Sequence, residues 1–532
     1  MVPPYGLQLA SDLISSNFGD LVAKVCSCLL RRGTLPLTSI IQYTGLPRDK
    51  VMNSLLVLIQ HNCVQAFAQE QPGGFGEAPK VQTQYMVLFD NIIHRMRFPK
   101  FLAIVTRELD DQCQKVLESL LQHGRLTLSQ IYDRAKSHRN EENCAAQDAL
   151  RESLLKLLHV HFVERCPAGE PFLSLPTEDE ETPAKKRGTK SAKIIEEFDT
   201  TERRALTAAV PMEAMRFSLI TNTAIDDTEK SEDNSPGGIT VGEKRKHNAL
   251  ESDRGIEASE SEREILWRPN FEEFVRRLRH KACIENVRIQ TGDAAATILT
   301  AILEATRSAE TKVKTERTVP LSLDNIFEEV MKSEAGRSMT MGHVDACLGE
   351  IDGHPGGRGT DDLRSIDLKK IIHVAQNAEV ESIVLKRYGR DAYRIFRFLS
   401  RASRLIETDK ISDTTFVEKK DTAKILHKLW KNDYVHMEKV LVHGSRQSQI
   451  VLWKVNKRTL WEHVLDEMYH AALNLRKRVA YEVEKEKELL QLPKDSRTEL
   501  QEKRHKRLTE IRVLLGSSLL KLDDAIMLFH DF

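Results

Sequence analysis

Two pairs of glutamate and histidine, each spaced three residues apart, are the most metal-like pattern in the sequence: Glu467-x-x-His470 and Glu502-x-x-His505. On a helix this spacing places both side chains on one face, and two such pairs on neighbouring helices hold the metals of di-iron bundles. The chain breaks between them at Pro493. A hairpin folded there separates the pairs by roughly 20 Å at the helical rise. They therefore cannot share a metal, and we interpret them as surface polar residues.

Other candidate chemical sites are also incomplete. Residues 353–359 are rich in glycine but lack the Gly-x-x-x-x-Gly-Lys-Ser/Thr order of a phosphate-binding loop, so we interpret them as a turn. Cys26 and Cys28 have no second cysteine pair at zinc-ligand spacing. Gly-x-Ser-x-Gly and His-Glu-x-x-His are both absent from the sequence. The sequence predicts a non-enzymatic protein with no catalytic residue, no metal site and no cofactor.

The composition argues against a nucleic-acid coat protein, because 79 basic residues balance 79 acidic ones. Neutralisation of phosphates normally dominates the affinity of such proteins, so any nucleic-acid contact must come from local patches. The first 13 residues lack the charged start and apolar run of a signal peptide. No stretch approaches the ~18 apolar residues of a membrane span. We expect a soluble protein in a reducing compartment, without membrane contact.

An internal repeat organises the chain. Residues 29–40 and 120–131 both read Leu-Leu-x-x-Gly-x-Leu-x-Leu-x-x-Ile, and the apolar run 55–59 is echoed by 154–158. Self-similarity at this spacing indicates one supersecondary unit that is used more than once. In the first copy, Gly33 and Pro47 predict the end of one helix and the first turn of another. Two β-prone runs follow Asn62, so the order is helix, strand, helix, helix, hairpin, which is that of a winged helix.

The predicted fold is mainly α with small β-wings. Weaker echoes extend the pattern to four tandem, extended winged-helix modules, separated once by a polar, highly charged linker that we expect to be mostly disordered. Within that linker, the apolar run 206–220 is expected to dock locally. Its basic clusters, at 185–187 and 244–246, are candidate nuclear import signals, although solvated linker charge is an equal explanation. The boundaries are 1–108 for module 1, 109–176 for module 2, 177–262 for the linker, 263–373 for module 3 and 374–457 for module 4.

The last segment, 458–532, has apolar residues spaced by threes and fours, which predicts an antiparallel coiled-coil hairpin. Pro493 breaks it, and Ser496-x-x-Glu499 predicts a capping box that restarts the helix. The second helix is apolar over more than one face, so we expect it to dock on another subunit or on the chain's own modules. Deletion after Lys457 should leave the modules folded. The candidate docking residues share one stripe: Leu515, Leu519, Leu522 and Ile526.

Module 4 has the most basic third helix, which is the element that reads DNA in many winged-helix proteins. Lysines without arginine indicate phosphate contact more than base recognition. A protein-binding or solvated face remains an alternative for this surface. The candidate nucleic-acid contacts are Lys419, Lys420, Lys424 and Lys428.

Six strings, in order along the chain, carry a resemblance to a known family. They are Asn17–Val22, Leu56–Asn62, Arg95–Phe101, His161–Pro167, Leu266–Phe274 and Asp523–Ile526. Together they resemble the winged-helix subunit, often called C3, of the peripheral heterotrimer of eukaryotic RNA polymerase III. The charged linker has no counterpart in that resemblance.

The resemblance implies a nuclear, non-catalytic subunit of the DNA-directed RNA polymerase that makes transfer RNA, 5S ribosomal RNA and other small RNAs. Implied partners are the two smaller subunits of the heterotrimer, the clamp of the largest subunit, the initiation factor TFIIIB and DNA. The implied role lies in promoter opening and transcription initiation.

Two other classes of protein remain open from the sequence. One is a winged-helix scaffold of another large nuclear or proteasome-lid-type assembly, although such proteins carry helical repeats before a single winged helix. The other is a free-standing DNA-binding regulator, which would be expected to show a basic net charge and an arginine-rich reading helix.

Overall fold

The computed structural model describes residues 2–71, 80–137, 144–174, 200–219, 265–310, 314–352, 363–442, 448–493 and 496–532. The chain is mainly helical and carries small sheets. It divides into two compact units, Leu13–Phe271 and a second unit that combines Met1–Asp12 with Glu272–Phe532. Among the described residues, no helix combines the length and the apolar character that a membrane crossing requires.

The first helix, α1, spans Pro4–Phe18, and the unit of residues 13–271 continues with ten further helices in the described residues. These are α2 (Asp20–Arg32), α3 (Leu37–Thr44), α4 (Arg48–Gln60), α5 (Phe89–His94), α6 (Phe98–Glu108), α7 (Asp111–His123), α8 (Leu128–Ser137), α9 (Cys144–His159), α10 (Thr201–Ala209) and α11 (Glu213–Arg216). The strands of this unit are β1 (Leu35–Pro36), β2 (Val64–Gln71), β3 (Lys80–Val87), β4 (Leu126–Thr127), β5 (Val163–Arg165), β6 (Phe172–Leu173) and β7 (Leu266–Pro269).

The second unit, residues 272–532 with the first twelve, contains most of the long helices. They are α12 (Phe271–Thr291), α13 (Asp293–Ala305), α14 (Leu323–Lys332), α15 (Met341–Asp352), α16 (Leu368–Tyr388), α17 (Arg390–Ala402), α18 (Thr408–Thr415), α19 (Lys419–Lys431), α20 (Lys457–Lys485), α21 (Lys487–Gln491) and α22 (Glu499–His530). Its strands are β8 (Leu321–Ser322), β9 (Leu363–Arg364), β10 (Ile406–Glu407), β11 (His436–Val442) and β12 (Ser448–Lys454).

The repeat found in the sequence has a structural counterpart in the turn that leaves the third helix. Asn62, His161 and Asp433 all adopt left-handed backbone conformations, with φ of 57°, 64° and 58°. In each turn the amide of the next residue donates to the carbonyl five residues earlier, at 2.8, 2.9 and 2.9 Å. This is the Schellman arrangement that satisfies carbonyls at a helix end. The three turns therefore give a common register for modules 1, 2 and 4.

The hairpins that follow these turns form small antiparallel sheets. In module 1, β2 pairs with β3 from Val64↔Val87 to Gln71↔Lys80, and the sheet order is β1-β3-β2-β6. Module 4 has the order β10-β12-β11, with β11 and β12 paired throughout their lengths. The turn between β2 and β3, the turn between β11 and β12 and the glycine-rich run 353–359 lie outside the described residues.

The sheet of module 2 corrects one predicted boundary. Residues 266–269, which the sequence assigns to the opening of module 3, form the central strand of the order β4-β7-β5. Trp267 pairs with Leu126 on one side and with Arg165 on the other. Since β7 occupies the place that β3 has in module 1, the charged linker is an insertion between the two wing strands of module 2.

Residues 200–219, within that insertion, are ordered against the first unit. Ala205 is buried with Phe67 and Leu173, and the Ala168 amide donates to the Ala209 carbonyl at 2.8 Å. Docking was expected for 206–220, and the structure extends the docked segment back through α10. We call residues 200–219 the strap. The basic clusters at 185–187 and 244–246 lie outside the described residues.

The predicted C-terminal hairpin is present as α20 and α22, which pack against each other. Arg504 bridges Glu486 at 2.8 Å near the turn, and the His530 ring lies 6.2 Å from that of Tyr469 at the far end, so the two helices run antiparallel. The capping box is formed by Thr498 and Gln501, whereas the sequence placed it at Ser496 and Glu499. Both pairs satisfy the three-residue spacing of the motif, so the spacing alone did not select between them.

The end of the hairpin is part of a module core. Leu528 is buried with residues of α13, α14, α15 and α16, such as Leu299, Ile326 and Val344. The Gln376 side chain donates to the Leu528 carbonyl at 2.9 Å. Deletion after Lys457 would therefore expose this core, which argues against the expectation that every module remains folded without the hairpin.

Candidate nucleic-acid and partner surfaces

The third helix of module 4, α19, lies on its module through an apolar face and turns its basic face outward. Leu426 and Leu429 are buried at a spacing of three residues, and Thr422 continues the same face one turn earlier. This face packs against α17 and α18. The helix surface opposite to it carries Lys420, Lys424 and Lys428, and Lys419 is the first residue of the helix; all four predicted nucleic-acid contacts are exposed.

Three of these four lysines have partners within the chain. Lys419 lies 3.5 Å from Asp409 and Lys424 lies 3.1 Å from Asp421. These are exposed pairs, which contribute little to stability and are readily exchanged for other anions. Within the described part of the chain, Lys420 makes no ion pair. The ammonium of Lys428 lies 5.4 Å from the centroid of the Tyr388 ring.

The third helices of modules 1 and 2 present different surfaces. In the shared register, Lys424 of module 4 aligns with Asn53 in module 1, and His427 aligns with Leu56, which is 63% exposed. Met52 is exposed one turn before Leu56, so the outward face of α4 carries two large apolar side chains beside the exposed Arg48, Lys50 and Asn53. Apolar side chains at these positions offer no charge to a phosphate backbone. Among the three, the lysine-rich face belongs to module 4 alone.

The four predicted docking residues differ in exposure. Leu515, Leu519 and Leu522 are half-buried along α22, while Ile526 has no exposed surface. Ile526 is thus buried by residues of its own chain, like the neighbouring Met527 and Leu528. Along α22, the side chains of Leu500, Val513 and Leu514 are more exposed, at 70%, 67% and 65%. Leu514 contributes to the prediction of a broad apolar surface on this helix, although it is not among the four docking candidates, and Val513 was missed.

Module 4 is joined to the hairpin through a buried tyrosine. The Tyr434 hydroxyl donates to Glu467 on α20 at 2.9 Å, and the Arg387 guanidinium donates to the same carboxylate at 2.7 Å. The Tyr434 ring meets Tyr388 edge-on at 5.5 Å. Burial and the negative charge of Glu467 both raise the pKa of Tyr434, so the hydroxyl remains a donor.

The first of the two glutamate–histidine pairs considered in the sequence has a structural role. Glu467 accepts from Tyr434 and Arg387, and the His470 ring stacks on Tyr5 with centroids 4.1 Å apart. In the residues that the structure describes, no cluster of histidine, cysteine and carboxylate side chains is suited to a metal ion. The Glu467 and His470 side chains on α20 therefore make hydrogen-bond and packing contacts within the chain.

The described cysteines show little capacity for nucleophilic chemistry. Burial raises the pKa of Cys63 to about 11 and that of Cys283 to about 12. The same effect raises the pKa of Cys166 to about 11. Since the thiolate is the reactive species, these side chains are uncharged, inert packing groups near neutral pH.

Comparisons with known proteins match most of the chain. The models described as RNA polymerase III subunit RPC82 helix-turn-helix domain, RNA polymerase III subunit RPC82, and POLR3C C-terminal winged-helix domain match residues 8–69, 152–365 and 380–455. The chain belongs to the RPC3 (RPC82) family. Its sequence identity to individual members is low, but for most of the matched members the similarity extends over 86% or more of their length.

Three RPC3 relatives illustrate that similarity. Proteins named DNA-directed RNA polymerase III subunit RPC3 from Danio rerio and Homo sapiens are each 24% identical to this chain, over 91% of the chain and 86% of their own length. The RPC3 protein of Dictyostelium discoideum is 20% identical over 99% of the chain and all of its own length. The family models also support winged-helix structure at the two ends of the module array, in modules 1 and 4.

Proposed function

We propose that this chain is a non-catalytic subunit of DNA-directed RNA polymerase III. The observation that carries the proposal is the alignment with proteins of that name along 91% of the chain. The polymerase, and not this chain, supplies the nucleotidyl transfer chemistry.

The architecture that fits this role is an array of four winged-helix modules closed by a coiled-coil hairpin. Modules 1, 2 and 4 share the left-handed exit turn. Module 3 has a matching order of helix, strand, helix, helix and strand from α13 to β9. We place the chain in the nucleus with the other subunits of the enzyme. By family resemblance its neighbours are the two smaller heterotrimer subunits and the clamp of the largest subunit.

A role in promoter opening and initiation follows from the same resemblance, with TFIIIB and DNA as further partners. The exposed lysines Lys419, Lys420, Lys424 and Lys428 are the proposed contact with the DNA backbone. Such a contact would be independent of base sequence, because lysine ammonium groups on phosphates carry no sequence information. The exposed side chains Val513 and Leu514, with the half-buried Leu515, Leu519 and Leu522, are the proposed docking surface of α22.

Depletion and add-back would test this function. Polymerase III depleted of the chain should still extend an RNA primer on a preformed RNA–DNA scaffold, because the active site is elsewhere. It should lose promoter-dependent synthesis of a transfer RNA, and the purified chain should restore it. Loss of primer extension would overturn the non-catalytic assignment, and intact promoter-dependent synthesis would overturn the role in initiation.

A further inference from the structure

Phe416 is an aromatic side chain that the fold leaves almost wholly in solvent. It lies between α18 and α19 and is 91% exposed, the highest fraction among the large apolar side chains that the structure describes. A scattered exposed apolar residue is ordinary on a protein surface. Phe416 differs because its backbone conformation is also unfavourable.

The backbone at Phe416 is left-handed, with φ 55° and ψ 40°. In module 1 the same turn holds Gly45, with φ 63° and ψ 21°. The equivalence rests on hydrogen bonds, because the hydroxyls of Thr44 and Thr415 each donate at 2.7 Å to the carbonyl four residues earlier. A bulky residue in this conformation is a genuine outlier, since its Cβ crowds the following carbonyl.

The turn that carries Phe416 is held firmly. The Ser412 hydroxyl donates to the Val417 carbonyl at 2.6 Å, and the Thr422 hydroxyl donates to the same carbonyl at 3.3 Å. Val417 itself is buried. The ring is thus presented on a rigid support and in a strained conformation, and 91% of the residue's surface is exposed. Local strain of this kind clusters at binding sites, where surrounding structure fixes it.

We propose that Phe416 is an anchor residue that inserts into an apolar pocket on another protein subunit of the polymerase. This inference rests on the proposed function, because it requires the chain to be assembled in that enzyme. Rigid aromatic side chains that enter a desolvated pocket carry a large share of interface energy. A partner of this kind explains why the chain retains both an exposed ring and an unfavourable backbone.

The charges beside Phe416 favour a protein partner over stacking on a nucleic-acid base. Asp413 and Glu418 flank the ring along the chain, and the exposed Lys419 and Lys420 follow, so the surface around the ring carries charges of both signs. The phosphates of a stacked base would be attracted by the lysines and repelled by the carboxylates. A protein pocket whose rim carries polar groups of both signs complements all four charges.

Hydroxyl-radical footprinting tests the proposal in three samples: the free chain, purified polymerase III, and the polymerase on a promoter with a preformed bubble. We expect oxidation of Phe416 to fall about tenfold from the free chain to the polymerase without DNA, as full burial in a pocket requires. Protection that arises only with DNA would overturn the proposal in favour of base stacking. An equal rate in all three samples would overturn it outright. The presence of the chain in the purified enzyme is read from the same digest, so failure of assembly is recognised separately.

The variant Phe416→Gly separates binding from folding. Glycine accepts the left-handed conformation freely, so the Tm of the free chain should not fall. Loss of a buried ring, as in Phe396→Ala, should lower it and serves as the contrast. In polymerase containing Phe416→Gly, the subunit should dissociate at lower salt than in the wild-type enzyme. Retention at the same salt concentration would contradict an anchoring role.

Discussion

The Tyr434 hydroxyl lies 2.9 Å from the Glu467 carboxylate, and this hydrogen bond joins module 4 to the C-terminal hairpin. Tyr434 follows the left-handed exit turn of α19, and Glu467 lies on α20. The Lys428 side chain on α19 reaches the ring of Tyr388, which packs on Tyr434. The proposed DNA-facing helix and the hairpin are therefore connected through a continuous set of packed side chains.

Replacement of Tyr434 by phenylalanine is expected to destabilise this junction. The ring is kept, but the buried side of Glu467 loses a donor, so we expect a loss of about 1–2 kcal/mol in the free energy of unfolding. Urea denaturation measures it. Glu462→Gln, at an exposed carboxylate on the same helix, is the matched control and should change stability by less than about 0.5 kcal/mol. Equal effects of the two variants would contradict the account of the junction.

Stability of the first unit should depend on pH through His61. Burial, together with the positive charges of Arg95 and His123, lowers the pKa of His61 to about 4. The unfolded chain binds this proton at higher pH, so the stabilisation is complete above pH 6.5 and is lost as pH falls toward about 4. Since the ring is half-buried and partly screened by solvent, we expect a loss of about 1–2 kcal/mol.

Urea denaturation at pH 7 and pH 5 checks the contribution of His61. His61→Gln should reduce the difference in stability between the two pH values, because glutamine does not titrate. His436→Gln, at an exposed histidine, should leave that difference as it is in the wild-type protein. A His61→Gln variant with the full wild-type pH dependence would assign the effect to other groups.

The strap should be released when the buried carboxylate of Glu164, which binds it from β5, is neutralised. Glu164 is 3% exposed and is bound by Arg216 of the strap at 2.5 Å and by Arg268 of β7 at 2.8 Å. Removal of one partner from a buried ionic group costs about 3–5 kcal/mol, because the remaining charges are left unpaired. We therefore expect Glu164→Gln to speed hydrogen–deuterium exchange in residues 201–218. Glu152→Gln, at an exposed ion pair with Lys156, should leave that exchange unchanged.

The lysine face of α19 should set the salt dependence of DNA binding by the free chain. Alanine at Lys419, Lys420, Lys424 and Lys428 together removes the phosphate contacts, and the slope of log K against log salt should fall by about 2–4. Fluorescence anisotropy with a double-stranded oligonucleotide measures the slope. Lys506→Ala with Lys521→Ala, at exposed lysines of the hairpin, is the control. An unchanged slope in the quadruple variant would show that these lysines do not contact DNA and that they face a protein partner or solvent.

Surface substitutions test the hairpin as a docking element better than deletion does. Val513→Asp and Leu514→Asp lie on an exposed face of α22 and should leave the Tm of the free chain within about 2 °C, as surface changes usually do. In the cell, the double variant should be recovered with less of the polymerase than the wild-type chain. Thr509→Asp, an exposed polar position one turn earlier, is the control. Normal recovery of the enzyme would contradict the docking role of α22 and indicate that the modules bind the polymerase.

Local signals predicted those parts of the fold that local chemistry determines. Gly33 and Pro47 marked helix ends correctly, and Asn62 ended α4 as its position indicated. The place of β7 was missed because its partners, Leu126–Thr127 and Val163–Arg165, lie on the other side of the charged insertion. The capping box moved from Ser496 to Thr498 because two candidate pairs satisfy the same spacing.

The candidate surfaces were predicted less completely, since exposure depends on tertiary packing. The outward direction of the α19 lysines followed from helical periodicity around Leu426 and Leu429. The burial of Ile526 did not follow from helical periodicity, because the residues that pack on it come from elsewhere in its own unit. Phe416 gave no signal, because the sequence does not reveal that a phenylalanine stands where module 1 has Gly45.

The most direct test of the central claim is the composition of the complex that forms around this chain in its own cells. The tagged chain is purified under native conditions, and its partners are quantified by mass spectrometry against the untagged strain. The account predicts the catalytic and peripheral subunits of RNA polymerase III at about one copy per tagged chain, as a closed assembly requires. Recovery of another nuclear complex or a proteasome lid in that stoichiometry, without polymerase III subunits, would contradict it.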